Sequence, residues 1–346
     1  MDIQQLKQSY EAAKAANPKT RIRDLATSLH TSEAQLVALG LGEGTIRLEG
    51  DFRELLKEVH TLGPVMALTR NNDAVHERHG VYNNVSFDGQ MGLVLDEDID
   101  LRLFMMHWAF GFAVIEGERR SLQFFDKSGE AVHKIYLTEQ SNEAAYHTLA
   151  EKYMAGMQEP ELLTKPYAAP AEEAADEDID VNGFRADWLT MTDTHQFFGI
   201  VRKYGLSRMQ ALRLAPEGYV QEVPATAMRQ MLESVSELQV PIMVFVANRG
   251  CIQIHSGEVT KLLATGPWFN VLDPQFNLHL REEKIAAAYV VKKPSNDGIV
   301  TSVEVFDAEG TMIIQFFGKR KPGIPELERW RSIASNLTTA DVSSPA

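Results

Sequence analysis

The chain has one cysteine, Cys251, in 346 residues, which excludes an internal disulfide. Acidic residues outnumber basic ones 48 to 34, and the net charge of −14 argues against nucleic acid and anionic membrane surfaces as partners. No stretch approaches the ~18 consecutive apolar residues of a membrane-spanning helix. The start, Met1-Asp2-Ile3-Gln4-Gln5, lacks the charged-then-apolar order of a signal peptide. A reducing cytoplasm, without membrane insertion, is the expected location. Conventional enzyme signatures are missing as well: there is no Gly-rich phosphate loop, nucleophile elbow or HExxH. Gly40-Leu41-Gly42-Glu43-Gly44 has no strand leading into it, as a dinucleotide site requires. Cys251 has no supporting nucleophile motif. His76 and His79 are three residues apart, but no Cys or acid at zinc spacing accompanies them.

What the chain does have is a repeat. Residues 55–103 recur as 232–280, shifted by 177 without a gap. Leu55, Pro64, Met66, Asn71, Gly80, Gly89, Val94, Leu95, Asp96, Leu101 and Leu103 reappear as Leu232, Pro241, Met243, Asn248, Gly257, Gly266, Val271, Leu272, Asp273, Leu278 and Leu280. After a four-residue insertion, Ser121, Phe125, Asp126 and Gly129 match Ser302, Phe306, Asp307 and Gly310. Chance gives roughly one identity in fifteen positions. The units are too long and too few for a solenoid, so they read as two copies of one domain. The copies differ where chemistry can sit: Arg102 in the first corresponds to His279 in the second.

The expected organisation is a first repeat over 1–165, an acidic linker over 166–182, a second repeat over 183–335 and a disordered tail over 336–346. The linker holds six acids and no base between Tyr167 and Asp180. Residues 3–40, 51–62 and 139–157 read as helices. Short strands fall at Val65–Leu68, Val81–Phe87, Met91–Leu95, Ile99–Phe104, Phe112–Ile115 and Leu122–Phe125. The second copy suggests helices at 194–204, 207–214 and 225–238. Its strands are Ile242–Ala247, Ile252–His255, Phe276–Leu280, Ile285–Val291, Val300–Phe306 and Met312–Phe317. Strands joined by short turns favour an α+β fold of two tandem repeats, each a large antiparallel sheet with packed helices, related by a pseudo-twofold.

The most telling local segment is Met191-Thr192-Asp193-Thr194-His195-Gln196-Phe197-Phe198-Gly199-Ile200-Val201-Arg202. Asp193 can cap a helix, Gln196 completes a capping-box-like pair, and Gly205 sits where the helix would stop. His195 then falls in the first turn, where the helix dipole disfavours imidazolium. A neutral imidazole is what a metal requires. Gly199 lies on the same face four residues on, and Phe198 adds an aromatic wall. That geometry suits a planar macrocycle with His195 as axial ligand. The bland alternative is an ordinary histidine on an amphipathic helix. Arg102 shares a strand face with Asp100 and Phe104, opposite Ile99, Leu101 and Leu103; it lines a pocket or meets solvent. Lys292, Lys293, Lys319, Arg320 and Lys321 flank strands and suit carboxylates or phosphate, or are solvated turn residues.

Taken together, Asn71-Asn72-Asp73-Ala74-Val75-His76-Glu77, Asp100-Leu101-Arg102, Thr192–Phe198, Leu206-Ser207-Arg208 and Phe317-Gly318-Lys319-Arg320 resemble a known family. It is the cytoplasmic haem-utilisation family of Gram-negative bacteria, the hemin-degrading factors or hemin transport proteins, and the resemblance covers nearly the whole chain. It implies two tandem repeats with haem in a cleft between the halves. The axial histidine matches His195, and the opposing sheet-borne arginine matches Arg102. Cations that hold the propionates match Arg208, one of Lys292 or Lys293, and Arg320. Some relatives carry extra histidines beside the axial one; here the neighbours are Thr194 and Gln196, so a histidine switch in this segment is not supported. A guanidinium has no lone pair for iron, so Arg102 would order a small ligand there by hydrogen bonding. The implied function is haem-iron acquisition: delivery of haem to a haem oxygenase, oxidative degradation of haem to release iron with help from a reductase, or both. The competing expectation is a cofactor-free duplicated interaction scaffold.

Overall fold

The computed structural model describes residues 2–169, 171–321 and 323–337. Most of the expected tail, residues 338–346, lies outside the described residues. The protein is mixed helix and sheet, with two large antiparallel sheets. It divides into two compact units: residues 1–70, 76–168 and 247–253, and residues 71–75, 169–246 and 254–346.

The first copy supplies strands β1 (Thr45–Leu48), β2 (Val65–Arg70), β3 (Ala74–Gly80), β4 (Val85–Asp88), β5 (Met91–Leu95), β6 (Asp100–Phe104), β7 (Phe110–Glu116), β8 (Arg119–Phe125) and β9 (Ala131–Leu137). Its strand order is β1-β7-β8-β9-β2-β3, with β4, β5 and β6 in an antiparallel ribbon. The second copy supplies β10 (Val220–Val223), β11 (Ile242–Ala247), β12 (Cys251–Gly257), β13 (Leu262–Thr265), β14 (Trp268–Leu272), β15 (Phe276–Arg281), β16 (Ala287–Ser295), β17 (Gly298–Phe306) and β18 (Met312–Gly318). The order is β10-β16-β17-β18-β11-β12, and β13, β14 and β15 form the ribbon.

Several of the recurring residues build turns and bulges. Asp126 Oδ1 accepts from the Ser128 and Glu130 amides, and Asp307 Oδ1 accepts in the same way from Glu309 and Thr311. Gly129 (φ 84°) and Gly310 (φ 74°) supply the left-handed residue in each turn. A β-bulge precedes each turn, at Phe124/Phe125 and at Val305/Phe306. Asn71 Oδ1 accepts from the Asp73 and Ala74 amides, and Asn248 Oδ1 accepts from Gly250 and Cys251. Their amide groups donate to strand carbonyls: Asn71 to Ile313, and Asn248 to Val132 and Arg70.

Residues 3–40 do not form one helix. They form Ile3–Ala16, Ile22–Ser28 and Glu33–Ala38. Pro18 has no amide hydrogen to continue the first, and His30 takes a left-handed φ of 52° after the second. The expected strand Val81–Phe87 is shifted to β4. Strands β1, β3, β9, β10, β13 and β14 and the helices Val181–Leu189 and Glu328–Asn336 are additional to the expected elements.

In the second unit, Trp330 from the last of these helices is fully buried, and its Nε1 donates to the Thr301 carbonyl at 2.9 Å. It lies against Gly318, where an added Cβ would come within 2.6 Å of the ring. The glycine therefore lets the helix close over the strand that leads to Lys319 and Arg320. Gly318→Ala is expected to cost about 1–3 kcal/mol of stability, the usual cost of overpacking, seen as a lower denaturant midpoint at unchanged m. A wild-type midpoint would show that the helix yields without cost.

Candidate functional site

The segment around His195 folds by local hydrogen bonds. Gln196 Oε1 accepts from the Thr192 amide at 2.9 Å and the Asp193 amide at 3.3 Å. The Asn296 amide donates to the Thr192 carbonyl at 2.8 Å, which ties the segment to the β16–β17 hairpin. Asp193 Oδ1 accepts from the His195 amide at 2.8 Å and contacts ring Nδ1 at 2.6 Å. These contacts hold the Asp193 carboxyl below the usual range, the His195 amide being the main cause. The helix runs Gln196–Lys203, shorter than the expected 194–204, so His195 is its N-cap residue rather than a first-turn residue. Gly205 (φ 67°) ends it, with the Leu206 amide donating to the Val201 carbonyl at 3.0 Å.

The His195 side chain is 91% exposed and Phe198 is 75% exposed. A Cβ on Gly199 would meet nothing within 4 Å. An exposed imidazole, an exposed aromatic ring and an open glycine thus share one short stretch. Phe197 takes the opposite role: it is buried and meets Trp188 edge-on, with ring centroids 4.7 Å apart.

Two cations lie over the Phe197 ring: Arg208 Cζ at 4.6 Å from its centroid and Lys293 Nζ at 4.7 Å. Both bind Glu304, which is fully buried. Arg208 reaches it through Nη2 at 2.6 Å and Nε at 3.0 Å, and Lys293 Nζ at 2.7 Å. Ser302 Oγ donates to the same carboxylate at 3.0 Å. Burial pushes the Glu304 carboxyl up, but Arg208 and Lys293 overcome it and hold the group at about 2. Burial draws the Lys293 ammonium down to about 8 against the pull of Glu304. The triad carries one net positive charge, and Arg208 is its partly exposed member.

Of the other expected residues, Arg320 pairs with Asp297 at 3.6 Å and contributes to the charge field on Asp193. Lys292 is half-buried, and its carbonyl accepts from Trp188 Nε1 at 3.1 Å. Arg102 belongs to the first unit. It sits on β6 opposite Leu93 of β5 and is paired with Asp100. His279 occupies the same station on β15, opposite Asn270, whose Oδ1 is 2.7 Å from its ring Nδ1. His195, Phe198, Gly199, Arg208, Lys292, Lys293 and Arg320 all fall in the second unit. Among the described residues, no group of three or more His, Cys, Asp or Glu is placed to hold a metal ion.

The first copy shows what replaces the site. Helices Ile22–Ser28 and Glu33–Ala38 are joined through left-handed His30 and the Ser32 cap, as Gln196–Lys203 and Arg208–Arg213 are joined through Gly205 and the Ser207 cap. The spacing is 175 for both pairs, which places Thr20 at the position of His195 and Glu33 at that of Arg208. Glu33 is buried and paired with Arg70 and Lys134.

A family profile described as the haemin-degrading HemS.ChuX domain matches residues 30–153 and again 205–337. The chain belongs to this family. The hemin transport protein HemS of Yersinia enterocolitica is 40% identical over 345 residues, covering 97% of this chain and 98% of the relative. The crystal structure of apo-PhuS, a heme-binding protein from Pseudomonas aeruginosa, superposes with a TM-score of 0.94 at 44% identity, covering 97% of this chain and 99% of that one. ChuS, a heme degrading enzyme of Escherichia coli O157:H7, gives 0.91 at 36% identity, covering 97% and 99%.

Sequence reasoning did not identify Glu304 or Phe197 as part of this cluster. Nothing in a run of strand residues marks one acid as sealed between two cations. Glu304→Gln leaves two cations without their counter-charge, at a cost of about 3–5 kcal/mol near neutral pH. The Glu304 carboxyl ordinarily titrates near 4.5 and here near 2, so its contribution is complete above about 4.5 and fades as pH falls towards 2. Denaturant midpoints from pH 7 to 3 are expected to show the wild-type advantage over Glu304→Gln shrinking below about pH 4.5. An advantage that does not change with pH would contradict the ionic account.

Proposed function

We propose that this chain binds haem through its second repeat and serves haem-iron acquisition, delivering haem to a haem oxygenase, degrading it oxidatively to release iron, or both. The observation that carries the reading is the exposed His195 imidazole beside exposed Phe198 and open Gly199. His195 offers a nitrogen to iron, Phe198 gives a flat apolar surface, and the missing side chain at 199 lets a planar ring approach. Bound haem would supply redox-active iron and an oxidisable porphyrin rim. Arg208, Lys292 or Lys293, and Arg320 are the cations for the two propionates. Arg208 and Lys293 share Glu304, so their triad offers one surplus positive charge, enough for one carboxylate. Arg102, in the first unit, would serve as a hydrogen-bond donor to a small ligand on the iron.

The names of the relatives support both arms: HemS is called a transport protein and ChuS a heme degrading enzyme. On this reading the repeats are 1–165 and 183–335, joined through 166–182 and related by a pseudo-twofold, and the protein works in the cytoplasm with an oxygenase or reductase as partner. Glu173 and Asp176 of that segment are tied down within the second unit: Glu173 accepts from Ser207, and Asp176 from Arg213 at 2.8 Å and 2.9 Å.

Hemin titration of wild type, His195→Ala and Arg102→Ala tests the reading. Wild type is expected to give a shifted Soret band. His195→Ala should weaken binding about tenfold or more, at least ~1.4 kcal/mol. Arg102→Ala should change the spectrum more than the affinity. No Soret shift with wild type would favour a cofactor-free scaffold, and an unchanged His195→Ala would remove the axial assignment. An electron donor added to the loaded protein with catalase present separates the arms: a tetrapyrrole product and free iron mark degradation, and intact haem marks delivery.

A further inference from the structure

Asp193 engages His195 at two atoms. One carboxylate oxygen, Oδ1, is engaged by both the His195 amide at 2.8 Å and the His195 ring at 2.6 Å. An ionised carboxylate can only accept hydrogen bonds, so Nδ1 must carry the ring proton. In neutral imidazole the lone pair then lies on Nε2, which no hydrogen bond among the described residues engages. Both side chains are largely exposed, at 91% for His195 and 59% for Asp193. A pair of that exposure adds little to stability, typically ~0–1 kcal/mol. Its geometry is nevertheless fixed from two directions: by Gln196 Oε1 on the Asp193 amide and by the Asn296 amide on the Thr192 carbonyl. The segment holds one ring nitrogen rigidly and leaves the other open, an arrangement that serves a ligand better than it serves the fold.

We propose that Asp193 is a positioning residue that fixes the Nδ1–H tautomer and the ring direction of His195, so that Nε2 is presented to haem iron with the added electron donation of a carboxylate-bonded imidazole. This rests on the reading of His195 as axial ligand. Outer-shell carboxylates on metal-bound histidines typically contribute 10–100-fold in metal affinity. Asp193→Asn keeps a carbonyl that can accept from Nδ1 but removes the charge. Asp193→Ala removes both. A weaker push from the ring disfavours ferric relative to ferrous iron, so the midpoint potential moves positive, by ~59 mV for a tenfold change in relative affinity.

The experiment has a haem-free and a haem-loaded part. In the haem-free protein, ring nitrogen chemical shifts are expected to show the neutral His195 ring as the Nδ1–H form in wild type and as mixed tautomers in Asp193→Ala. With hemin bound, Asp193→Asn should weaken affinity about tenfold and move the ferric/ferrous midpoint positive, and Asp193→Ala should do so further. Both variants should keep the wild-type denaturation midpoint within the small range expected of a surface pair. Wild-type tautomer, affinity and potential in Asp193→Ala, with His195→Ala still losing its Soret signature, would overturn the role of Asp193 and leave the ligand assignment standing. If His195→Ala keeps the wild-type spectrum, the ligand assignment fails and the role of Asp193 with it.

Discussion

Glu304 is an ionised group with no exposed surface, and the second unit is arranged around that constraint. A carboxylate out of water needs cations at close range and its oxygens hydrogen-bonded. Arg208 comes from the start of a helix, Lys293 from β16, and Glu304 and Ser302 from β17. The two cations lie over Phe197, whose helix begins immediately after His195. One buried charge thus fixes the helix that presents the exposed imidazole, and leaves a single surplus positive charge at partly exposed Arg208. Stability and recognition use the same side chains.

The first copy meets the same constraint with the acid moved to the helix. Its helix also opens after a capping serine, Ser32 for Ser207, but the next residue is Glu33 where the second copy has Arg208. Glu33 is buried and held to about 2 by Lys134 and Arg70, which overcome the upward push of burial. Glu116 and Gln123 stand where the second copy has Lys293 and Glu304. The duplication therefore preserves a buried ion triad in each unit while moving its members. Together with Thr20 in place of His195, this accounts for two similar scaffolds of which one is suited to present a metal ligand.

Much of the scaffold was legible because it depends on short-range rules. Alternation in Leu101, Arg102 and Leu103 gave the two faces of β6, and the repeated Asp126/Gly129 and Asp307/Gly310 pairs marked equivalent turns. Gly205 marked the end of the His195 helix. What escaped depends on tertiary context. β3 carries His76, Glu77, Arg78 and His79, a polar run that obscures a strand. The start of the chain kept a helical pattern across Pro18 and His30, which interrupt it. Phe197 and Phe198 are adjacent and identical, yet one is buried under two cations and the other is exposed. No local pattern distinguishes them, because the difference lies in tertiary partners of Phe197: Trp188, Arg208 and Lys293.

On the proposed reading, duplication yields one haem site, whose iron ligand is His195 of the second copy. Native mass spectrometry of the full chain loaded with excess hemin and then desalted tests it most directly. The account predicts a single retained haem per chain, absent from His195→Ala. Two haems of similar retention, or one that persists in His195→Ala, would contradict it.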